Sequence, residues 1–340
     1  MRIVVDAMGG DNAPAVEVEG ALEALRHAES DLAICLVGDE TSIRRELDRL
    51  GFRGDSRLTV EHAPEKIDMG GEDPARQVRK KKGASITVAT RLLREGQADG
   101  LVSAGNTGAV VASALLTLGR IRGVRRPGIA TVLPSPSGGA VILDVGANSD
   151  CSPRNLLQFA TMGAIYARKV LGRTEPRVGL LNIGEEKSKG NKVVQEAHKL
   201  LEESSLRFVG NVEGRDIFHG ATDVVVCDGF VGNVVLKFSE SVISLITNLA
   251  KEEIGHDLRG KLGALMLRPS FRNISRVLSY DEYGGAPLLG IDGIVIIAHG
   301  KSTVKAIRNA ILVAVRFARE RINDTIRDEL QEQSLGQVPA

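Results

Sequence analysis

Apolar runs that end in glycine- and asparagine-rich turns constrain this chain more than any other feature. The runs RIVV, DGLV, AVIL, RVGLL, LRFV and DVVV lead into DAMGGDNAP (from Asp6), SAGNTGA (from Ser103), DVGAN (from Asp144), NIGEEKSKGN (from Asn182), GNVEG (from Gly210) and CDGFVGN (from Cys227). Amphipathic stretches separate them. From Pro14 to Ala28, for example, Val16, Ala21, Leu22 and Leu25 recur at helical spacing, with Pro14 at the first helical position. Strand, turn and helix in alternation predict an α/β fold with a mostly parallel sheet covered by helices on both faces. A Pro-Ser-Gly turn between GIATVLPS and GGAVILDVG reads as a hairpin that adds antiparallel strands.

Alternation then resumes with a helix from Pro153 to Leu171, a strand RVGLLNIG and a helix from Gly190 to Glu203. Strands LRFVGN and DVVVCDG follow, then a long helix from Asn233 to Ile254, a late strand GIDGIVIIAHG and a final helix from Lys301. Residues 1–330 read as one domain with a helical segment at about 233–280, and residues 331–340 as a polar tail. In such a sheet, helix N-termini at the carboxyl ends of the strands present backbone N–H groups that favour anions. Asn12, Asn106, Asn148, Asn182, Asn191, Asn211 and Asn233 all fall at strand ends, and are expected on one rim around a phosphate-bearing substrate.

Several function classes drop out. Lys plus Arg number 44 against 43 Asp plus Glu, so charge offers nucleic acid no reason to bind, and aromatics at 3% supply no stacking platform. Cys35, Cys151 and Cys227 are odd in number and widely spaced, which reads as reduced cytosolic thiols. The start MRIVVDAMGG does not read as a secretory leader. No two glycines are separated by a single residue, so the dinucleotide fingerprint Gly-x-Gly-x-x-Gly cannot occur. GHDLRGKL, from Gly255, misses a P-loop by its last residue, Leu262. No Gly-x-Ser-x-Gly elbow exists, and the six histidines show neither metal spacing nor the His-x4-Asp pair of membrane glycerol-phosphate acyltransferases. Neither a metal nor a cofactor is expected.

What remains is chemistry by positioning. Lys189, Gly190 and Asn191 precede a helix, where a cation and a capping amide can gather on one anion, although EEKSKGNK also reads as a plain charged loop. Asn233 follows Asp228-Gly229-Phe230-Val231-Gly232 at a helix start, and an N-cap role there is compatible with donation to a ligand. Asp6, Asn12, Asn106, Thr107, Asn148, Asn191, Asn211, Asp228, Gly229 and Gly232 complete the candidate phosphate-binding set.

These motifs, with YGGAPLLGIDG and AHGKS near the end, resemble the phosphate acyltransferase family from Met1 to about Asn323. The resemblance implies conversion of an acyl carrier protein thioester and inorganic phosphate to acyl phosphate, the donor for the first acylation in bacterial phospholipid synthesis. It also implies a homodimer with a three-layer α/β/α sandwich, similar to phosphotransacetylases and isocitrate-type dehydrogenases. Carried over by motif, the catalytic residues are Lys189 and Asn233. Ser188 stands where that motif commonly has a second lysine, and Lys187 is the nearest substitute for its charge. Two other readings stay open. An oxidoreductase of the isocitrate-dehydrogenase type would need aspartates for a metal and arginines for a tricarboxylate, and no such cluster is visible. A non-catalytic scaffold for membrane lipid enzymes would work through its surface.

Two further expectations concern partners. The helix from Asn233 carries Val234, Val235, Phe238, Val242, Leu245, Ile246 and Leu249, enough to serve both the sheet and a partner helix, or to be buried in one subunit. Between Arg259 and Arg276, Leu262, Leu265, Met266, Leu267 and Phe271 alternate with five cations, as a membrane-contacting segment or a helix connection would. The protein is thus expected in the cytoplasm, on the inner face of the membrane beside a glycerol-3-phosphate acyltransferase.

Overall fold

The described residues of this computed structural model are 1–28, 31–70, 73–136, 138–255, 263, 266–270 and 284–335. In chain order they form β1 (Arg2–Asp6), α1 (Ala15–His27), β2 (Ala33–Gly38), α2 (Glu40–Arg49), β3 (Leu58–His62), α3 (Pro74–Lys80), α4 (Ser85–Arg94), β4 (Gly100–Ser103) and α5 (Thr107–Thr117). The hairpin β5 (Gly128–Leu133) and β6 (Ala140–Leu143) follows, then α6 (Pro153–Leu171), β7 (Val178–Leu181), α7 (Lys192–Glu202), β8 (Phe208–Val212), α8 (Gly214–His219) and β9 (Val224–Val226). The chain continues as α9 (Gly229–Gly255), β10 (Ala286–Leu289), β11 (Val295–Ile297), α10 (Val304–Arg319) and α11 (Ile322–Leu335).

The strands build a sheet of order β3-β2-β1-β4-β11-β10-β5-β6-β9-β7-β8. Its inner strands are mostly apolar because both faces are covered, whereas the edge strand β3 reads LTVEH and is only partly buried. Ile3 and Val5 of β1 face one core with α1, α6, α7 and α10, whereas Val4 faces a second core with α4 and α5. The same alternation runs through β6 and β9, which makes the three layers expected from the sequence. Close approach is set by small residues. A Cβ at Gly20 of α1 would lie 2.7 Å from the Ile307 side chain of α10, and one at Gly163 of α6 would lie 2.7 Å from Val224.

The element that the sequence hides is β10. It pairs antiparallel with β11 and with β5, and β5 pairs antiparallel with β6. Three reversals in succession leave β6, β9, β7 and β8 running opposite to β3, β2, β1, β4 and β11. The expectation of one rim is therefore overturned. The turns holding Asn12 and Asn106 leave carboxyl ends that face one way, while those holding Asn148, Asn182, Asn191 and Asn233 leave carboxyl ends that face the other.

Smaller differences have local causes. Pro14 is the N-cap of α1 rather than its first helical residue. Asn211 lies inside β8, so its turn begins only after Val212. The last helix is two, α10 and α11, separated where Arg321 takes φ 51°, and α11 carries helix into the expected tail. α9 begins four residues before Asn233, because the Asp228 carboxylate accepts from Val231 N at 2.8 Å and caps the helix there.

Candidate active site

Asp144 organises the richer of the two rims. Fully buried at the end of β6, its carboxylate accepts from the backbone N–H groups of Ile129 (2.9 Å), Gly146 (3.1 Å), Ala147 (3.0 Å) and Asn148 (2.8 Å), and from Asn148 Nδ2 (2.9 Å). Five donors on one buried carboxylate set the shape of the DVGAN turn. Asn148 also donates to Pro127 O at 2.7 Å, which ties this turn to the start of β5. Its amide N–H groups are thus spent internally, and Asn148 acts as a brace.

The start of α9 is pressed against this turn. A Cβ at Gly229 would lie 2.6 Å from Asn148 O, and Gly232 meets the Asp144 carbonyl even more closely, so both glycines serve helix packing. Asn233 sits one turn into α9 with its side chain exposed. A side chain at Gly146, where φ is +146°, would come within 3.9 Å of the Asn233 amide oxygen. That glycine therefore leaves open the space before Asn233. Nearby Cys151 has its thiol pushed up to about 12 by burial first and then by Asp144 and Asp228, with Arg126 acting in the opposite sense. The Cys227 thiol is also raised, again chiefly by burial, and donates to Asp144 O at 3.5 Å. Neither thiol offers a thiolate near neutral pH.

Lys189 leaves the adjacent strand, since β7 pairs parallel with β9. Its loop is tightly held. Asn182 Nδ2 donates to Lys189 O (3.1 Å), Gln195 Nε2 to Ser188 O (2.7 Å) and Asn211 Nδ2 to Glu186 O (2.9 Å). Asn211 Oδ1 meets His198 Nδ1 at 3.0 Å, so Asn211 also braces, and His198 is buried behind it. Asn191 caps α7 by accepting from Val194 N at 3.0 Å. The Lys189 ammonium is exposed and forms no ion pair among the described residues. Lys187, by contrast, is paired with Glu202, which removes it as a substitute for the missing second lysine.

The remaining candidates belong to the opposite rim. Asp6 is buried, accepts from Ser103 Oγ at 2.7 Å, and is raised above the usual carboxylate range by burial. Asn106 caps α5 (3.0 Å from Ala109 N) and donates to Met69 O at 2.7 Å, while Thr107 and Asn12 are exposed. Beside them Glu17 is buried, with Oε1 accepting from Gly10 N at 3.1 Å and Oε2 unpartnered, and burial pushes it up to about 7.

Arg126 is a further candidate that the motif reading did not single out. It precedes Pro127, whose carbonyl holds Asn148, and is exposed beside Cys151 with no ion pair among the described residues. Its signal was only the pair Arg125-Arg126 before a hairpin, which reads as ordinary surface charge.

Known proteins are similar to this chain in sequence, and solved structures are similar to it in fold. The family described as "Fatty acid synthesis protein" matches residues 1–325. A phosphate acyltransferase of Heliobacterium modesticaldum is 53% identical over 338 residues, spanning 99% of each chain. One from Pelotomaculum thermopropionicum is 51% identical over 331 residues, spanning 97% of this chain and 95% of that one. Among solved structures, a phosphotransacetylase from Streptococcus pyogenes superposes with a TM-score of 0.60 at 18% identity over 94% of both chains. A branched-chain phosphotransacylase from Enterococcus faecalis V583 gives 0.59 at 15% identity over 94% of this chain and 99% of that one. At such identities the structures establish the fold, a phosphotransacetylase-like α/β/α sandwich. On the match through residue 325 and the full-length relatives, the chain belongs to the fatty acid synthesis protein family.

Proposed function

We propose that the protein transfers an acyl group from an acyl carrier protein thioester to inorganic phosphate, forming acyl phosphate for phospholipid synthesis. The observation that supports this most directly is the kind of group that surrounds Asn233. The two thiols there are held protonated, and the nearby carboxylates of Asp144 and Asp228 are occupied by internal donors. A nucleophile must then arrive with the substrate, and phosphate, anionic at neutral pH, is one.

In this reading a phosphate oxygen attacks the thioester carbonyl, the tetrahedral oxyanion collapses, and the carbon–sulfur bond breaks to release the carrier thiolate, which takes a proton from water. Lys189 and Arg126 supply positive charge to orient phosphate, and Asn233 Nδ2 donates to the developing oxyanion. One such preorganised donor is worth roughly 100- to 1000-fold in rate. Asp144, Asn148, Asn191 and Asn211 hold these groups in place.

α9 supports a homodimer. Phe230, Val234, Phe238, Leu245, Ile246 and Leu249 are more than half exposed along it, which an isolated subunit would not keep in water. The same helix, Gly229–Ile254, is long and apolar enough to cross a membrane by length and composition. Most of the segment between Arg259 and Arg276 lies outside the described residues. Within it Met266 and Leu267 are 82% and 53% exposed, which favours contact with the inner face of the cell membrane and delivery to a membrane glycerol-3-phosphate acyltransferase.

The test is incubation with an acyl carrier protein thioester and labelled phosphate. Hydroxylamine-sensitive labelled acyl phosphate is expected, and its absence with release of free fatty acid would replace this reading with a thioesterase.

A further inference from the structure

Ile183 is out of place on the rim that carries Lys189. It is 82% exposed, a value that only Met266 matches among the large apolar side chains of the described residues. A loose backbone does not explain it. Ile183 N donates to Asn182 Oδ1 at 2.8 Å and Asn182 Nδ2 donates to Lys189 O at 3.1 Å, so one side-chain amide ties the isoleucine to the lysine. A Cβ at Gly184 would lie 3.1 Å from Lys189 Cγ, which places the lysine stem over the residue next to Ile183. Single exposed apolar residues are ordinary, but this one is held in water by a fixed turn, beside the cation assigned to phosphate.

It also has apolar neighbours on both sides. β9, β7 and β8 are consecutive in the sheet and parallel, with about 5 Å between neighbouring strands. Phe230, in the first turn of α9 after β9, is 66% exposed and stands three residues before Asn233, on the same face of that helix. α8 follows β8, and its Arg215 reaches Glu185 of the Ile183 turn at 3.6 Å. Phe218, three residues further along α8 and exposed, is turned to the same side. We propose that Ile183, flanked by Phe230 and Phe218, carries the hydrocarbon chain of the acyl thioester and sets the preferred chain length. This rests on the function proposed above. Continuity with the site selects the occupant, because a chain whose carbonyl is held by Asn233 beside Lys189 leaves across these side chains. Each methylene moved there from water is worth up to about fourfold in binding. A second copy of the protein fits less well, since α9 from Phe238 onward offers it a long apolar face, whereas Ile183 and Phe218 belong to other elements.

The test compares the unaltered protein with Ile183→Asn on pantetheine thioesters of acetate, octanoate and dodecanoate, which present a chain without a carrier protein. Thiol released and acyl phosphate formed are both read, as kcat/KM for each chain. The unaltered protein is expected to prefer dodecanoate to acetate, and the variant to lose at least fivefold of that ratio with thermal unfolding unchanged. An equal fall at every chain length would make Ile183 only a part of the Lys189 turn and overturn the proposal. An unchanged ratio would overturn it too, and loss of a dimer in sedimentation alongside that result would assign Ile183 to contact between subunits. If the ratio fell as expected but thiol release gave free fatty acid in place of acyl phosphate, the chain site would stand and the proposed reaction would fall.

Discussion

At the scale of single residues, similar side chains take different work. Asn148, Asn191 and Asn211 spend their amides on backbone partners, while Asn233 keeps its side chain exposed beside a glycine that leaves room for a ligand. Lys189→Ala and Asn233→Ala are each expected to lower turnover at least tenfold with unchanged thermal unfolding. Arg126→Ala should instead raise KM for phosphate. Steady-state kinetics on folded variants checks all three, and near-unaltered activity at saturating phosphate would remove the role assigned to that residue. Asp144→Ala is a stability prediction. It orphans two buried N–H groups, of Ile129 and Asn148, and two part-buried ones, of Gly146 and Ala147, and should cost on the order of 3 kcal/mol in chemical unfolding. Glu17 adds a pH dependence. Its carboxyl is raised to about 7 from an ordinary 4.5, so the fold binds that proton more tightly than the unfolded chain. The resulting stability is fully present below about pH 4.5 and is lost as pH rises to about 7, by roughly 3 kcal/mol at most. Glu17→Gln should flatten that slope in urea titrations at pH 5 and 8, and parallel slopes would refute the linkage. Lys189 and Asn233 were candidates from the sequence, but the braces and the buried carboxyls were not legible there, because whether an amide is spent or a carboxyl is buried depends on residues up to about a hundred positions away, as Ser103 is from Asp6.

Among elements, those with a local signature were read well. α6 matches the expected Pro153 to Leu171, because Ser152 and Asn155 form a reciprocal cap at one end and Gly172, at φ 69°, stops the other. The hairpin β5–β6 is also where its turn placed it. β10 escaped notice, since APLL is four residues long, contains a proline, and becomes a strand only between β11 and β5. Along α9, Val235 and Leu236 pack on the core while Phe238, Leu245, Ile246 and Leu249 are exposed among the described residues, which fits the reading that the helix also serves a partner. Ile246→Glu with Leu249→Glu should convert a dimer to a monomer in sedimentation at micromolar concentration. An unaltered protein that already sediments as a monomer would sink the dimer.

For the whole molecule, β10 is the weld. It joins two oppositely directed sets of parallel strands into one sheet, so the protein is expected to unfold in a single transition. Leu289→Ala, at a fully buried weld position, should lower that transition as a unit, costing about 2–5 kcal/mol. Calorimetry resolving two separately shifted transitions would show that the halves fold independently. The sequence by itself determined the fold class and the order of most elements, and it offered Lys189 and Asn233 as the candidates now proposed for the chemistry, because apolar period, caps and turn motifs act over a few neighbouring residues. Only the tertiary structure decided which turns share a rim. Strand direction is inherited through hydrogen-bonded pairing between segments far apart in the chain, and three antiparallel pairings around β10 reverse it in a way no local pattern records.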